Sequence, residues 1–539
     1  MSGQPTRDDR FAPASRSARD ARSPVRSAAI TNLGCKVNQS EMEAAARLLR
    51  ERGVAIVDDA LRADLYLVNT CTVTAVADQK SRQAVRRARR RNPEAQLLVT
   101  GCSVQVGRKA IAAADPDAHL FDNRSKERLL AELEALVRLP DEGGLVSVPL
   151  PTLAGVDPVI PASVNGTAID GITDGRTIAD RTRAFVKVQD GCSFHCTYCI
   201  IPAARGPERS LEPDAVLADV RRALAAGHRE VVLTGINIGT YDGGASERGP
   251  RGSHRWAALS LAGLVRRILE ETAVERIRLS SIEPQHVDGE LLRTWRDSAG
   301  RCLPHFHLPL QSGDDGVLRR MGRRYDAAFY ARLVDRIRGE IEGVAIHADV
   351  IAGFPTEDET AFRRSVEFIR ARELAGLHVF RYSARPSTPA TRMSGHVDEP
   401  IRRRRAAILL GIADEARARF AAAQAGSRAA VLFETRLADG RWVGHAPNHV
   451  LVAAVSLDGH ALDNAIGLVE ISGVDPDAPD RAVGRILELD RRARPVSASS
   501  VGGVPSVRGL AAVDGSPAVD LTTLPPDGRR PIATGGVHG

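Results

Sequence analysis

The sequence is poor in aromatic residues and nearly lacks lysine. Phe, Trp and Tyr make up 4% of its 539 residues, and Lys36, Lys80, Lys109, Lys126 and Lys187 are its only lysines. A core is not thereby excluded, because 43% of the chain is hydrophobic and 26% charged, an ordinary balance for a soluble globular protein. At roughly 150 residues per domain, the length suits three or four domains. The formal charge of +7 is carried by arginine, and with abundant alanine this matches a GC-rich coding bias. Charge alone therefore does not identify a polyanionic partner. No run of 18 apolar residues occurs, which excludes a membrane-spanning helix. Residues 1–27 lack the apolar core of a secretory signal, and Asp8, Asp9 and Asp20 speak against a transit peptide, so a cytoplasmic protein is expected. Cysteine is scarce too. Seven in a long chain without a signal are read as metal or catalytic groups, not as a disulfide framework.

What is present is an α/β rhythm. After a polar stretch over 1–27, expected to be disordered, residues 28–139 show apolar runs at Ala28–Leu33, Val54–Val57, Leu65–Val68 and Leu97–Thr100. Helical patterns over Glu41–Glu51 and Ala75–Arg91 lie among them, which predicts a parallel sheet flanked by helices. Residues 140–180, rich in Pro, Gly and Val, read as a linker. Over 181–426, six runs follow: Ala184–Val188, Val231–Leu233, Ile277–Leu279, Phe306–Leu310, Val344–Ile351 and Leu377–Phe380. Helical segments separate them, and six β-α units predict an open, partial (β/α)6 barrel with its chemistry at the C-terminal strand ends. A helix from about Pro400 to Gly426 ends this unit. Residues 427–490 carry five short strand patterns with Gly, Asp and Pro between them, which fit a small antiparallel β-barrel. Residues 491–539 are expected to be a disordered tail.

Cys192, Cys196 and Cys199 stand in GCSFHCTYCIIPAARG, a C-x3-C-x2-C spacing just after the first strand of the second unit. Three thiolates on one loop can hold three irons of a 4Fe–4S cluster and leave the fourth open to chelate S-adenosylmethionine. One-electron reduction then cleaves that cofactor to a 5′-deoxyadenosyl radical. A zinc knuckle completed by His195 is the competing reading. Cys35, Cys71 and Cys102 each follow a predicted parallel strand, where open α/β sheets converge their ligands, so they can meet in space despite their separation. A second cluster with an open iron fits them, against three structural thiols. Cys302 has no partner at metal spacing.

These residues sit in a series of motifs: TNLGCKVNQSE (31–41), NTCTV (69–73), TGCSVQ (100–105), the 191–206 loop, VLTGINIGTYD (232–242), LSSIEP (279–284), FHLPLQSGDDGVLRRMGRRY (306–325) and ADVIAGFPTED (348–358). Over about residues 28–490 the chain resembles the radical S-adenosylmethionine methylthiotransferases, in that family's order of methylthiotransferase domain, radical domain and TRAM-type RNA-binding barrel. GCKVNQ (34–39) and HVFRYSARPSTPATRM (378–393) resemble the branch acting on N6-threonylcarbamoyladenosine at tRNA position 37, in the anticodon loop. The branches acting on isopentenylated adenosine or on a ribosomal-protein aspartate remain alternatives, as does a non-catalytic iron–sulfur RNA-binding regulator. Ser40, Ala203 and Arg381 depart from the usual residues, which bears on substrate fit.

The resemblance implies transfer of a methylthio group to adenine C2, with two 4Fe–4S clusters, two molecules of S-adenosylmethionine, a sulfur source and an external electron donor. The cluster at Cys35, Cys71 and Cys102 would carry the sulfur, and that at Cys192, Cys196 and Cys199 would generate the radical. Tyr198 is expected beside the cofactor's adenine. Gly235 and Gly239 would allow close backbone approach to its methionine end. Glu283, Gln311, Ser312 and Asp349 fall at or beyond C-terminal strand ends and are candidates for hydrogen bonds to the cofactor, each with a cap or turn role as the alternative. His305 and His307 alternate on one strand, and neither is assigned a catalytic role. For RNA, the basic runs Arg86, Arg87, Arg89, Arg90 and Arg91 and Arg402–Arg405 are candidate phosphate contacts, with Arg441, Trp442 and His445 on the terminal barrel, against solvated faces and barrel core.

Overall fold

The computed structural model describes residues 25–58, 61–137, 182–245, 259–456 and 459–491. The expected linker over 140–180, the tail after 491 and all but the end of the 1–27 segment lie outside the described residues.

The first unit runs β1 (Ser27–Asn32), α1 (Lys36–Glu51), β2 (Ala55–Val57), β3 (Leu65–Thr70), α2 (Ala75–Arg91), β4 (Gln96–Gly101), α3 (Cys102–Ala112), β5 (His119–Phe121) and α4 (Lys126–Val137). Its sheet has the order β2-β1-β3-β4-β5, with every pair parallel. LYLVNT and QLLVTG are buried at all positions, as central strands covered on both faces must be. Helix α1 starts at Lys36, five residues before the expected Glu41. Its first turn buries Asn38 and Gln39 for hydrogen bonding, so it carries no apolar period to read. The three-residue edge strand β5 was not expected.

The second unit comprises β6 (Arg183–Lys187), the ribbon β7 (Gln189–Asp190) with β8 (Arg209–Ser210), and between them α5 (Ile201–Arg205). Next come α6 (Pro213–Ala225), β9 (Glu230–Thr234), α7 (Leu261–Glu271), β10 (Arg276–Leu279), α8 (Gly289–Arg296) and β11 (His305–His307). The unit ends with α9 (Asp315–Met321), α10 (Ala327–Glu340), β12 (Ala345–Ala352), α11 (Glu359–Arg372), β13 (Gly376–Arg381) and α12 (Glu399–Ala422). Two parallel three-stranded sheets, β6-β9-β10 and β11-β12-β13, are joined through a bridge between Ile277 and Cys302. Together they make the expected six-stranded open barrel, in sequence order. Its helices bury Val216, Leu264, Ile268, Leu292, Val334 and Ile369 against the strands.

Strands β14 (Arg428–Arg436), β15 (Trp442–His445), β16 (Leu451–Ala454), β17 (Ile466–Asp475) and β18 (Ala478–Asp490) close a barrel in the order β14-β15-β16-β18-β17. It is not wholly antiparallel: β16 and β18 pair in parallel, Leu451 opposite Arg481, where the sheet closes on itself. Trp442 is 8% exposed and lies in this barrel's core with Phe433, Val452 and Val469, so it is a packing residue and not an RNA-stacking platform. The barrel docks on the N-terminal ends of the β9 and β10 strands. Arg276 donates to Ala430 O (2.8 Å) and His445 O (3.2 Å), and Arg278 donates to Pro447 O (3.2 Å). Both guanidiniums share Glu230, whose carboxyl is held at about 2 because the two arginines outweigh its burial.

Candidate active site at two cysteine sets

The strand ends bring the distant cysteines together. Cys35 is the extended residue that precedes α1, and Cys102 opens α3 directly after Gly101. Gly101 has φ of 102° with no room for a Cβ, which would meet Asn69 Oδ1 and Thr70 O at 2.4 Å, so the β4–α3 turn requires glycine. Two of the three thiols thus stand at helix N-termini, where the dipole favours a thiolate. Cys71 lies in the turn after β3, its N–H bonded to Ser81 Oγ (3.1 Å) and its carbonyl accepting from Ser103 Oγ (2.7 Å). Burial pushes the Cys71 thiol up to about 12, and Cys102 and Cys35 add to the shift. Burial likewise raises Cys102, against Arg205.

In the second set, Cys199 is pushed up to about 12 by burial, with Cys196 and Cys192 adding to it; burial also raises Cys192 and Cys196. Arg323 joins this loop to the barrel. It donates to Cys196 Sγ (3.4 Å) and Tyr198 Oη (3.4 Å) and pairs with Glu283. Neither Arg323 nor this pairing was picked out from the sequence; the only signal was its place in RRMGRRY, directly after the QSGDD motif.

A short helix connects the two sets. From α5, which begins two residues after Cys199, Ala204 O accepts from Asn123 Nδ2 (2.7 Å), and Asn123 also reaches Cys102 Sγ (3.5 Å). The fully buried Arg205 donates to Asn38 Oδ1, which in turn accepts from the Cys35 thiol (3.4 Å). Arg205 also pairs with Asp190 (2.8 Å) and Glu41 (3.3 Å). Although burial opposes ionisation of Glu41, Lys126, Arg205 and Lys187 bring it to about 2.

The other expected cofactor residues fall near this site in different roles. Tyr198 packs edge-on against Phe354, and burial raises its hydroxyl well above the usual range. Burial also raises Glu283, against Arg323. Gln311 has φ of 67° and joins β12 through Gln311 N–Asp349 O (2.7 Å). Ser312 is engaged by Ser365 (3.0 Å) and the Asp314 N–H, a loop-holding role. A Cβ on Gly235 would strike Ile238 and Gln189, and one on Gly239 would strike His286, so protein packing already accounts for both glycines. Asp349 accepts from His307 Nε2 (2.8 Å) and lies 3.3 Å from His378 Nδ1. Of the basic candidates, Arg86, Arg87 and Arg90 are exposed. Arg402 is folded in, donating to Tyr382 O (2.9 Å) and pairing with Glu399 (3.0 Å), and is thus not a free phosphate contact. Arg441 is held by Asp439 and Asp475.

Residues 27–122 match the family model described as uncharacterized protein family UPF0004, and residues 186–369 match the radical SAM superfamily. The threonylcarbamoyladenosine tRNA methylthiotransferase MtaB of Bacillus subtilis is 34% identical over 79% of this chain and 89% of its own length. Its namesake from Thermotoga maritima is 32% identical over 78% and 89%. The chain belongs to the radical S-adenosylmethionine methylthiotransferase family. A tRNA-2-methylthio-N(6)-dimethylallyladenosine synthase from Acidithiobacillus ferrooxidans is also similar, 33% identical over 75% of this chain and 85% of that one.

The methylthiotransferase's cysteines fit the clusters that its family uses. Among the described residues, only His307, Asp349 and His378 bring three His, Cys, Asp or Glu ligand atoms within 4.8 Å of one another. Neither cysteine set closes to that spacing, whereas Zn–S bonds of about 2.3 Å would hold sulfurs within about 4 Å. Three thiols on one loop, and three at neighbouring strand ends, suit a cluster whose irons each take one thiolate. With Cys71 and Cys199 near 12, these sulfurs are thiolates at neutral pH only when a metal replaces the proton. Among the described residues, no helix is long and apolar enough to cross a membrane.

Proposed function

We propose that the enzyme transfers a methylthio group to C2 of N6-threonylcarbamoyladenosine at position 37 of tRNA, in the cytoplasm, drawing on a sulfur source and an external electron donor. The observation that carries this reading is α5, which bonds to the surroundings of Cys35 and Cys102 within six residues of Cys199. In this reading a sulfur-bearing centre and a radical-generating centre serve one target atom, and α5 supports it by tying the two loops together. When bound, the clusters and S-adenosylmethionine supply the activated sulfur and the radical, which a strong, non-acidic C–H bond requires.

The protein's own residues orient these partners. Arg323 fixes Tyr198 and Glu283 beside Cys196, while Asn38 and Asn123 hold hydrogen bonds to Cys35 and Cys102. Val73 (47% exposed), Val76 and Val106 leave apolar surface next to Cys71 and Cys102, suited to the flat face of a base. The similarity to a dimethylallyladenosine synthase supports a second reading, the same chemistry on isopentenylated adenosine. Nucleoside mass spectrometry of bulk tRNA from a deletion strain and its complemented parent separates the two. Loss of 2-methylthio-N6-threonylcarbamoyladenosine with build-up of its unthiolated precursor is expected. If instead that nucleoside is unchanged while the methylthiolated isopentenyl nucleoside disappears, the second reading holds.

A further inference from the structure

Inside the open barrel, the strands carry a row of imidazoles. His307 contacts His378 (ring centroids 4.8 Å apart), His378 lies 6.3 Å from His347, and His347 lies 5.0 Å from His305. His305 stacks at 4.6 Å on His449, a left-handed residue (φ 70°) of the terminal barrel that plugs this end. The row opens at His378, whose side chain is 37% exposed, with Asp349 beside it at 20%; His307 is 7% exposed, His305 5% and Arg278 1%.

Charge is not balanced at the buried end. Glu230 serves both Arg276 and Arg278, and Glu434 serves Arg183 and His445, which leaves two carboxylates for three arginines, while Asp349 is taken up by His307 and His378. His305 is held well below its usual pKa by burial and then by His347, Arg278, His307 and Lys36, all cationic or able to become so. Two buried nitrogens here, His305 Nδ1 and Arg278 Nη2, have no hydrogen-bond partner, although such groups are paired in nearly all native interiors. A buried, cation-rich chamber with unmatched nitrogens is complementary to an anion.

We propose that this chamber binds the carboxylate of the substrate adenosine's N6 side chain, with Arg278 and His305 as its donors. The inference rests on the proposed substrate, whose threonyl group carries a carboxylate and a hydroxyl where an isopentenyl group carries neither. Asp349, above the floor, is placed to accept from that hydroxyl or from the carbamoyl N–H. With its side chain seated in the barrel, the base presents a different edge, that of C2, toward the cysteine loops. Selectivity then comes from buried polar groups that only the right side chain satisfies.

The test uses cluster-loaded enzyme and anticodon stem-loop RNA carrying threonylcarbamoyladenosine, its methyl ester or isopentenyladenosine at position 37, with affinity read by fluorescence anisotropy and turnover by mass spectrometry. Esterification removes the charge without touching the protein, so the test does not depend on a variant folding. Wild-type enzyme is expected to bind the ester and the isopentenyl RNA roughly 10- to 100-fold more weakly than the acid. In His305→Phe, which keeps the Arg278 donor, the preference for the acid over the ester should shrink severalfold without vanishing. Equal binding of acid and ester by wild type overturns the chamber, even if both are methylthiolated. If the acid RNA is not a substrate and the isopentenyl RNA is, the proposed function itself fails.

Discussion

Cys35 donates to Asn38 and Cys196 accepts from Arg323, both at 3.4 Å, and their surroundings assign them different work. Cys35 is exposed and bonded to Asn38, beside the apolar rim of Val73, Val76 and Val106. Cys196 is tied through Arg323 to Tyr198 and Glu283. Cys35→Ala should therefore keep reductive cleavage of S-adenosylmethionine to 5′-deoxyadenosine but lose thiolation, whereas Cys196→Ala should lose both. Liquid chromatography of the nucleoside products measures each activity separately. Normal thiolation by Cys35→Ala would remove the sulfur-carrying role from the first set. The placement of six cysteines, three on one loop and three after parallel strands, was legible because apolar runs and motif spacing mark both. Arg323 was not, since one arginine in a basic stretch has no pattern until the fold aims it at a thiol.

At the scale of elements, α5 matters more than its five residues suggest. Arg205, fully buried, partners Asp190, Glu41 and Asn38, so removing it takes a shared cation from two buried carboxylates and leaves them to Lys126 and Lys187. Arg205→Met should cost about 3–5 kcal/mol, the usual penalty for breaking a buried pair from one side. In a thermal melt followed by circular dichroism this appears as a lower Tm, and Arg205→Lys should recover only part of it, because a compact ammonium cannot span partners that the guanidinium reaches from separate nitrogens. The sequence reading found the strands of both α/β units because parallel strands covered on two faces are unbroken apolar runs. It missed the three-residue β5, too short to show a period. The chamber escaped it too, because His305, His307, His347, Asp349 and His378 interrupt those runs as isolated polar residues. Their convergence depends on the β11-β12-β13 register, with Asp349 opposite His378. Basic runs misled for a related reason. Within Arg402–Arg405, Arg402 and Arg405 turn inward, to Tyr382 and Glu357, and Arg403 and Arg404 remain on the surface.

For the whole molecule, the question is where a tRNA can lie, and the folded-in basic residues narrow it. Arg402 and Arg441 are committed to intramolecular partners and Trp442 to the barrel core, whereas α2 keeps an exposed basic face and begins near the Cys71 turn. Its first N–H is anchored to Ser383 Oγ (3.0 Å), close to the Cys71 turn, and its exposed Arg86, Arg87 and Arg90 follow within four turns. Arg86 and Arg90 share a face by their four-residue spacing, and Arg89 is turned away to Asp115 (2.6 Å). A helix that starts beside the reacting site and carries cations about 17–22 Å outward suits phosphates of the RNA leading away from an inserted base. Replacing Arg86, Arg87 and Arg90 together with Gln should weaken tRNA binding to a similar degree whatever the base at position 37. It should also reduce the slope of log K against log salt by about 2–3, near one per lost phosphate contact. A salt titration of filter binding reads both quantities, with Arg441→Gln, whose guanidinium is already neutralised by Asp439 and Asp475, leaving the slope unchanged. A triple variant with the wild-type slope would move the RNA path off α2. A reduced slope with base discrimination intact would divide the work between helix and chamber, phosphates fixing the register and the barrel interior choosing the side chain.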